Sequence, residues 1–469
     1  MILPSGFKER MTSLLGSEAG LFFAELENAP VRAFRVNPIK LTVNDFEKAS
    51  PSIDRKKAEF PDVAYYTEEQ FPGSLPCHHA GMIYMQDPSA MVTVYATEVK
   101  SGMKVLDSCS APGGKTTQLA SFIGDGGIIV ANEYDTKRCR ILQSNVERMG
   151  CRNAVVVNLD TAVLAETYPD TFDIVLCDAP CSGEGMFRKN ALAVSEWSEE
   201  NVVMCAERQR EILANVQKCV KNGGRLIYST CTFSLEENEM NVDWFLKSFP
   251  EFELCRVTPE LEQITSDGAS FDGCAFDISK TRRFYPHVSH GEGQFIAVFE
   301  KNASCEEAIT KKDKKGKRKE TPRASKADID ALAVAQAFLE ENLEKIPVGE
   351  LICLNGYVYI KPDIALPQYG VFAAGVCVGE LVGKRLVPHH QLFSAYGHLF
   401  KRKIVLKCDG KETFDYLKGL EIAAEGRTLC VGRPEGWAAV MVDGCALGGG
   451  KVSGGVCKNH YPKGLRNKQ

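Results

Sequence analysis

Phe172-Asp-Ile-Val-Leu-Cys-Asp178-Ala-Pro180-Cys181-Ser-Gly-Glu-Gly185 is the stretch on which the reading of this chain turns. Ile174, Val175 and Leu176 form an apolar run with Asp173 before it and a loop bearing Pro and Gly after it, the pattern of a buried strand that stops abruptly. In an open α/β sheet, ligands collect at the carboxyl ends of the strands. Asp178 and Cys181, an acid and a thiol three residues apart, therefore stand where chemistry is expected. Pro180 stiffens the turn between them, and Gly183 and Gly185 let the backbone approach a substrate. The competing reading is a turn-capping Asp beside a Cys buried as a small hydrophobe. The rest of the chain decides between them.

On either side, helices and strands alternate. Strands are predicted at Lys104-Val-Leu-Asp107, Ile128 to Glu133, Ala154 to Val157, Ile174 to Cys177, Arg225 to Tyr228 and Phe295 to Phe299. Helices are predicted at Met91 to Val99, Thr116 to Phe122, Asp135 to Met149, Val202 to Val220 (ending at Gly223-Gly224) and Glu236 to Phe249. Strands separated by helices imply a parallel, doubly wound α/β sheet over residues 91–300. Residues 1–90 read as a small α+β module, with helical spacing from Gly6 to Leu26 and a strand from Val31 to Val36. Arg35 in that strand, beside Phe34, reads either as a solvated strand face or as an RNA contact. His78-His79 has no carboxylate or Cys at metal spacing, so the pair reads as loop histidines and no metal site is expected.

Residues 301–326 carry Lys311-Lys-Asp-Lys-Lys-Gly-Lys-Arg-Lys319, too polar to offset its ordering entropy, and are read as a basic flexible linker. Residues 327–469 are again globular, with a helix at Ala327 to Leu343 and short strands such as Val358-Tyr-Ile360, Ile404-Val-Leu406 and Ala438 to Val442.

Composition narrows the function classes. A chain of 469 residues calls for two to four domains, and its net charge of -5 confines any nucleic-acid footprint to local patches. The 18 cysteines include no C-x-x-C pair, which argues against a zinc ribbon or a thioredoxin-type motif. The N-terminus lacks the apolar core of a signal peptide, and no apolar run is long enough to span a bilayer. The expected setting is the cytoplasm, away from membranes, where thiols stay reduced.

Three features carry chemistry. Val105-Leu-Asp107-Ser-Cys109-Ser110-Ala111-Pro112-Gly113-Gly114-Lys115 runs from a strand through a Gly-rich turn into a helix. Its spacing matches neither G-x-x-x-x-G-K-[ST] nor G-x-G-x-x-G, so a nucleoside cofactor without a pyrophosphate fits best. Glu133, Asp160 and Asp178 end three consecutive strands beside that turn. Glu133 is placed for ribose hydroxyls, Asp160 for an adenine edge, and the set describes an S-adenosylmethionine pocket. Finally, Tyr228-Ser-Thr230-Cys231-Thr-Phe-Ser-Leu-Glu236-Glu-Asn238-Glu follows the next strand, which brings a second thiol, Cys231, toward the cleft that holds Cys181. Its acid run is read as opening a helix, where the dipole favours acids. Strand-end geometry alone leaves either thiol as the nucleophile.

At 178–183 and 229–232 these motifs resemble the two cysteine motifs of the Sun/Nop RNA cytosine-5 methyltransferase family, and 108–115 is similar to its cofactor motif. Gly185-Met-Phe-Arg-Lys189, Arg283-Phe-Tyr-Pro-His287 and Gly291-Glu-Gly293 resemble the bacterial F-type 16S rRNA branch (RsmF-like), as do Arg35-Val-Asn37 and Tyr84 to Ser89 at the N-terminal module and its junction. The resemblance implies a Rossmann-like methyltransferase domain, an N-terminal RNA-binding module at 1–90, and C-terminal RNA-binding domains. The first of those runs to about residue 395, and a PUA-like fold follows it. It implies S-adenosylmethionine as cofactor, 16S rRNA or the small ribosomal subunit as partner, and a monomer. By position it makes Cys231 the nucleophile, Cys181 the thiol that resolves the adduct, and Asp178 a contact to cytosine and cofactor. Cys109 to Lys115, Glu133 and Asp160 line the cofactor site, and Lys115 and Arg188 are possible sources of an electropositive field. The readings kept beside it are a catalytically silent assembly factor, a tRNA-directed cytosine-5 enzyme, and an amino-group methyltransferase. The last would show Asn/Asp-Pro-Pro-Tyr/Phe where this chain has Asp178-Ala-Pro-Cys181.

Overall fold

The computed structural model describes residues 2–49, 51–303 and 325–467, so the basic stretch at 311–319 lies outside the described residues. Between residues 104 and 301, β1 (Lys104–Asp107), α1 (Gly114–Ile123), β2 (Ile128–Asn132), α2 (Thr136–Arg148), β3 (Ala154–Val157), α3 (Thr161–Thr167), β4 (Phe172–Asp178), α4 (Glu199–Val216), β5 (Val220–Thr230), α5 (Glu239–Ser248) and β6 (Gln294–Lys301) follow one another. In space the strands run β3-β2-β1-β4-β5-β6. Helices on both faces require strands that are apolar on both faces. Val105, Ile129, Val156, Ile174 and Ile227 accordingly pack against Leu119 of α1 and Leu142 and Val146 of α2. Leu106, Val130, Val155, Val175 and Leu226 pack against Leu164, Leu213 and Phe245 of α3, α4 and α5.

β1 to β5 are mutually parallel, as expected, but β6 is antiparallel to β5 and the sheet is mixed. The reason is the route into β6. After α5 the chain returns through Phe252–Cys255, which itself pairs antiparallel with β6, and then through the pair Ser266–Asp267 and Arg282–Phe284. α5 makes the crossover as far as Phe252–Cys255, and from there the chain doubles back into β6, which sets β6 antiparallel. A second correction concerns Gly223-Gly224. These residues do not stop a helix, because α4 ends at Val216 and the glycines lie inside β5. A Cβ on Gly224 would stand 2.9 Å from the carbonyl oxygen of Asp173, so glycine lets β5 close on β4.

The N-terminal unit comprises helices Ser5–Leu15 and Ala19–Leu26 and a four-stranded sheet in the order Lys56–Lys57, Ala64–Tyr66, Ala33–Val36, Ile83–Met85. Arg35 overturns both readings made of it, since its side chain is fully buried. It donates to Gln86 Oε1 at 2.8 Å, to the Gly114 carbonyl at 2.9 Å and to Thr117 Oγ1 at 2.7 Å. Asn37 donates to the carbonyls of Gly81 and Met149. Both therefore dock the module onto α1 and the end of α2. His79 lies on a short helix, Pro76–His79, rather than in a loop, and its ring meets Tyr461 Oη at 2.8 Å and Asn467 Oδ1 at 2.9 Å in the C-terminal part.

In that part, helix Lys326–Asn342 starts with a capping box between Ser325 and Asp328. It covers a sheet of Glu350–Leu354, Tyr357–Lys361, Val376–Val382 and Arg385–Pro388. Val371–Ala374 leaves this unit and pairs antiparallel with β3, adding an edge strand to the central sheet. A six-stranded sheet over residues 402–459 completes the chain. Among the described residues no helix is long and apolar enough to cross a membrane, and no group of three or more His, Cys, Asp or Glu could hold a metal ion.

Candidate active site

The parallel arrangement sets the ends of β3, β2, β1, β4 and β5 along one edge of the sheet. Backbone hydrogen bonds hold the turn after β1, two of them to the neighbouring strands β4 and β2 and one within the turn. Ser108 N donates to the Leu176 carbonyl at 2.9 Å, Ser110 N to Asn132 at 2.8 Å and Gly113 N to Ser110 at 2.8 Å. Gly113 enters α1 with φ +105°, in the left-handed region that glycine adopts without strain. A Cβ there would also lie 3.1 Å from Leu142 Cδ1 of α2. We predict that Gly113→Val, at a backbone cost of about 1–2 kcal/mol, weakens cofactor binding roughly tenfold. Unchanged affinity by calorimetry would refute the assignment of this turn to the cofactor.

Two carboxylates face the turn. Glu133 is buried; its Oε2 accepts from Ala111 N at 3.3 Å and its Oε1 from Asp135 N at 2.9 Å, with Arg138 Nη1 3.5 Å away. Asp107, which the sequence reading passed over, is buried at the end of β1. Its Oδ2 accepts from Thr116 at 2.7 Å, while its Oδ1 has no partner. Burial pushes the Asp107 carboxyl up to about 7. An orphaned acceptor, a helix N-terminus and a strand-end Glu beside a left-handed Gly fit the expected S-adenosylmethionine, whose ammonium Asp107 can take. A ligand that needs ionised Asp107 gains affinity as pH rises and levels off above about 7. Binding should therefore weaken below that pH, toward tenfold per unit, and calorimetry at pH 6 and 8 checks the sign.

Asp160 is exposed and caps α3 by accepting from Ala162 N at 2.8 Å. Asn132 draws the loop after β3 to the turn after β1. Its Nδ2 donates to the carbonyls of Ser108 at 3.0 Å and Leu159 at 3.1 Å. Tyr134, directly after Glu133, is 73% exposed and presents an aromatic face at the same edge.

At the other side, β4 and β5 pair in parallel with Asp178 opposite Ser229. Asp178 Oδ2 pairs with Lys115 Nζ at 2.7 Å, and Oδ1 accepts from Ser229 Oγ at 2.6 Å and Gln294 Nε2 at 3.2 Å. Lys115 thus joins the cofactor turn to the acid after β4. Ala179 N donates to the Ser229 carbonyl and Gly185 N to the Cys231 carbonyl, both at 2.9 Å. A Cβ on Gly185 would sit 2.8 Å from that Cys231 oxygen, so glycine is required for the two loops to touch. The result is a contact of 3.3 Å between Cys181 Sγ and Cys231 Sγ. The hydrogen bond to Cys231, and then burial, raise the Cys181 thiol, which keeps its proton. Cys109 is likewise pushed up by its contact with Cys177 and by burial, and stays neutral.

Arg188 does not supply a field to the thiols. Its side chain is 1% exposed and its charge is matched by Glu292 at 2.7 Å and Glu25 at 2.9 Å. With Lys189, which pairs with Asp87 at 2.6 Å, it fastens the loop after Cys181 to the N-terminal unit. Sequence alone held no sign of Gln294, which reaches Asp178 only because β6 runs antiparallel.

The chain matches three family models: 16S rRNA methyltransferase RsmB/F over residues 94–300, the N-terminal domain of 16S rRNA methyltransferase RsmF over 3–88, and the methyltransferase RsmF PUA domain over 403–467. It is 31% identical over 374 residues to the ribosomal RNA small subunit methyltransferase F of Serratia proteamaculans, covering 77% of this chain and 76% of that one. It is 28% identical to that of Aeromonas salmonicida, covering 99% of this chain and 97% of the other. Among solved structures, a methyltransferase homolog protein from Pyrococcus horikoshii superposes with TM-score 0.55 at 29% identity, covering 64% of this chain and 95% of that one.

Proposed function

We propose, from the premise that this chain belongs to the 16S rRNA methyltransferase F family, that it methylates C5 of a cytosine in 16S rRNA through a covalent adduct on Cys231. The observation that carries this reading is the pair of thiols at 3.3 Å at the ends of adjacent parallel strands, beside the Asp178–Lys115 pair.

Cys109 to Lys115, Asp107, Glu133, Asp160 and Asp178 hold S-adenosylmethionine, which when bound supplies an electrophilic methyl group. The chain's own residues do the rest. Cytosine C5 is too poor a nucleophile to be methylated directly. The Cys231 thiolate adds to C6 and makes C5 electron-rich. Asp178, held in place by Ser229 and Gln294, orients the base, which must leave any stack to reach the cleft. Loss of the C5 proton restores the C5–C6 double bond and expels Cys231. Cys181, its proton retained, assists that break-up. The N-terminal unit and the domain over 403–467 bind the RNA, and the enzyme works as a monomer in the cytoplasm.

The test incubates the full chain with 16S rRNA or small ribosomal subunits and maps modification by bisulfite sequencing. 5-Methylcytosine at defined positions is expected. Methylation of an adenine, or of tRNA alone, would overturn the reading, and cofactor binding without transfer to any RNA would favour a silent assembly factor.

A further inference from the structure

Beneath the two thiols lie two buried carboxyl groups that the mechanism does not use. Each belongs to one cysteine loop and holds the residue that follows the other loop's cysteine. Glu184, three residues after Cys181, accepts from Thr232 Oγ1 and Phe233 N, each at 2.9 Å. Glu237, six residues after Cys231, accepts from Ser182 N at 3.0 Å and meets Ser182 Oγ at 2.5 Å. Ser182 Oγ and Thr232 Oγ1 are themselves 2.8 Å apart. Expected to stabilise a helix start, the acid run does something else: Glu236 pairs with Arg10, Glu237 turns inward, and only Glu239 enters the first turn of α5.

The four oxygens form a chain with three contacts: Glu184 Oε2 to Thr232 Oγ1, Thr232 to Ser182 Oγ, and Ser182 to Glu237 Oε1. Every contact this short needs a proton between its oxygens. Two hydroxyls supply only two protons. The third must sit on a carboxyl group, and the N–H donors decide which one. Both oxygens of Glu184 accept from N–H groups, Oε1 from Trp197 Nε1 at 2.9 Å and Oε2 from Phe233 N. In Glu237 the N–H donors, Ser182 N and Gln209 Nε2 at 2.8 Å, both meet Oε2. Its Oε1 meets hydroxyls alone, those of Ser182 and Ser234, and a hydroxyl can accept.

We infer that Glu237 is held as the neutral acid and donates from Oε1 to Ser182, that Glu184 is the ionised end of the chain, and that the two are positioning residues locking the thiol-bearing loops together. Burial raises both carboxyls, Glu184 adds to the effect on Glu237, and Arg10 favours ionised Glu184. The other titratable groups facing Glu237 are Cys181, Cys205 and Tyr228, whose hydroxyl donates to the Glu237 carbonyl. None is a cation that would hold Glu237 ionised.

The inference concerns loops that the proposed mechanism uses, but its test needs no methyl transfer, so the two can fail separately. An amide in place of a neutral acid keeps every contact: the Gln nitrogen donates to Ser182 where Oε1–H did and to Ser234, whose hydroxyl turns to accept, and its oxygen accepts from Ser182 N and Gln209. Glu237→Gln should therefore keep the Tm of the wild-type protein. Glu184→Gln sets an NH2 against the N–H of Phe233 or Trp197, and Glu237→Ala leaves a hole with stranded donors. Each should lower Tm by roughly 3–10 °C. In infrared difference spectra of the full chain at pH 8, Glu237→Gln minus wild type, one protonated-carboxyl C=O band should be lost. A Glu237→Gln protein as unstable as Glu237→Ala, or a difference spectrum with no such band, would overturn the inference.

Discussion

Cys231→Ser is expected to abolish methyl transfer while leaving cofactor affinity and fold unchanged. The side chain is nearly isosteric, and Gly185 N would still donate to the residue 231 carbonyl. What is lost is the nucleophile: a Ser hydroxyl is scarcely ionised near neutral pH and adds poorly to C6. Cys181→Ala should fail at a different step. Cys231 can still attack and C5 can still be methylated, but the thiol 3.3 Å from Cys231 Sγ that assists release is gone. RNA should then remain covalently held. A denaturing gel should show a retarded band that needs RNA and cofactor, present for Cys181→Ala and absent in the double variant with Cys231→Ser. If the band instead formed with Cys231→Ser and vanished with Cys181→Ala, the two roles would be reversed.

Much of this arrangement was legible because parallel α/β sheets leave few choices. A strand buried on both faces shows as an apolar run, its carboxyl end is where the polar residues begin, and sequential strands flanked by helices become neighbours. Those rules bring Cys231 toward Cys181, and set Asp178 beside the Gly-rich turn, with no knowledge of side-chain contacts; the Lys115–Asp178 pair comes from the fold. What escaped depends on direction and depth. The reversal of β6, and with it the arrival of Gln294 at Asp178, follows from the chain doubling back after Phe252–Cys255, a strand too short to show as an apolar run. Arg35 escaped because a charged residue in a strand is usually solvated, whereas here Gln86 and two acceptors on α1 hold its Nε and Nη2 in the interior, and Nη1 is buried without a partner. Asp107 was read as the end of a strand. Only the fold shows that one of its oxygens is buried and unpartnered. The Val371–Ala374 edge strand belongs to a unit that otherwise forms its own sheet, so no local pattern links it to β3.

Breaking the ion pair behind Cys231 should have the largest effect on stability. Arg283 and Glu239 are both buried, with side chains 2% and 0% exposed. The guanidinium donates Nε to Glu239 Oε1 at 2.6 Å and Nη2 to Oε2, a two-pronged pairing that a Lys cannot copy. Its Nη1 reaches the Phe233 carbonyl at 2.7 Å, two residues past Cys231. Burial works against the Arg283 charge, yet Glu239 and Tyr285 together more than offset it and the group's pKa is raised. Arg283→Met leaves Glu239 buried and without its cation, with Ala269 N its one remaining donor among the described residues. Such a loss costs about 3–5 kcal/mol, whereas an exposed pair would cost under about 1 kcal/mol. Removing both charges with Arg283→Met/Glu239→Leu should recover a large part of that loss, because the stranded carboxylate is then gone. It should not recover activity, since the Phe233 carbonyl, and with it the Cys231 loop, has still lost its anchor. Chemical denaturation of the two single variants and the double variant, with methyl transfer measured on each, separates the two effects. Additive destabilisation in the double variant would show that the pair is not coupled, and full activity in it would show that Arg283 does not position the nucleophile.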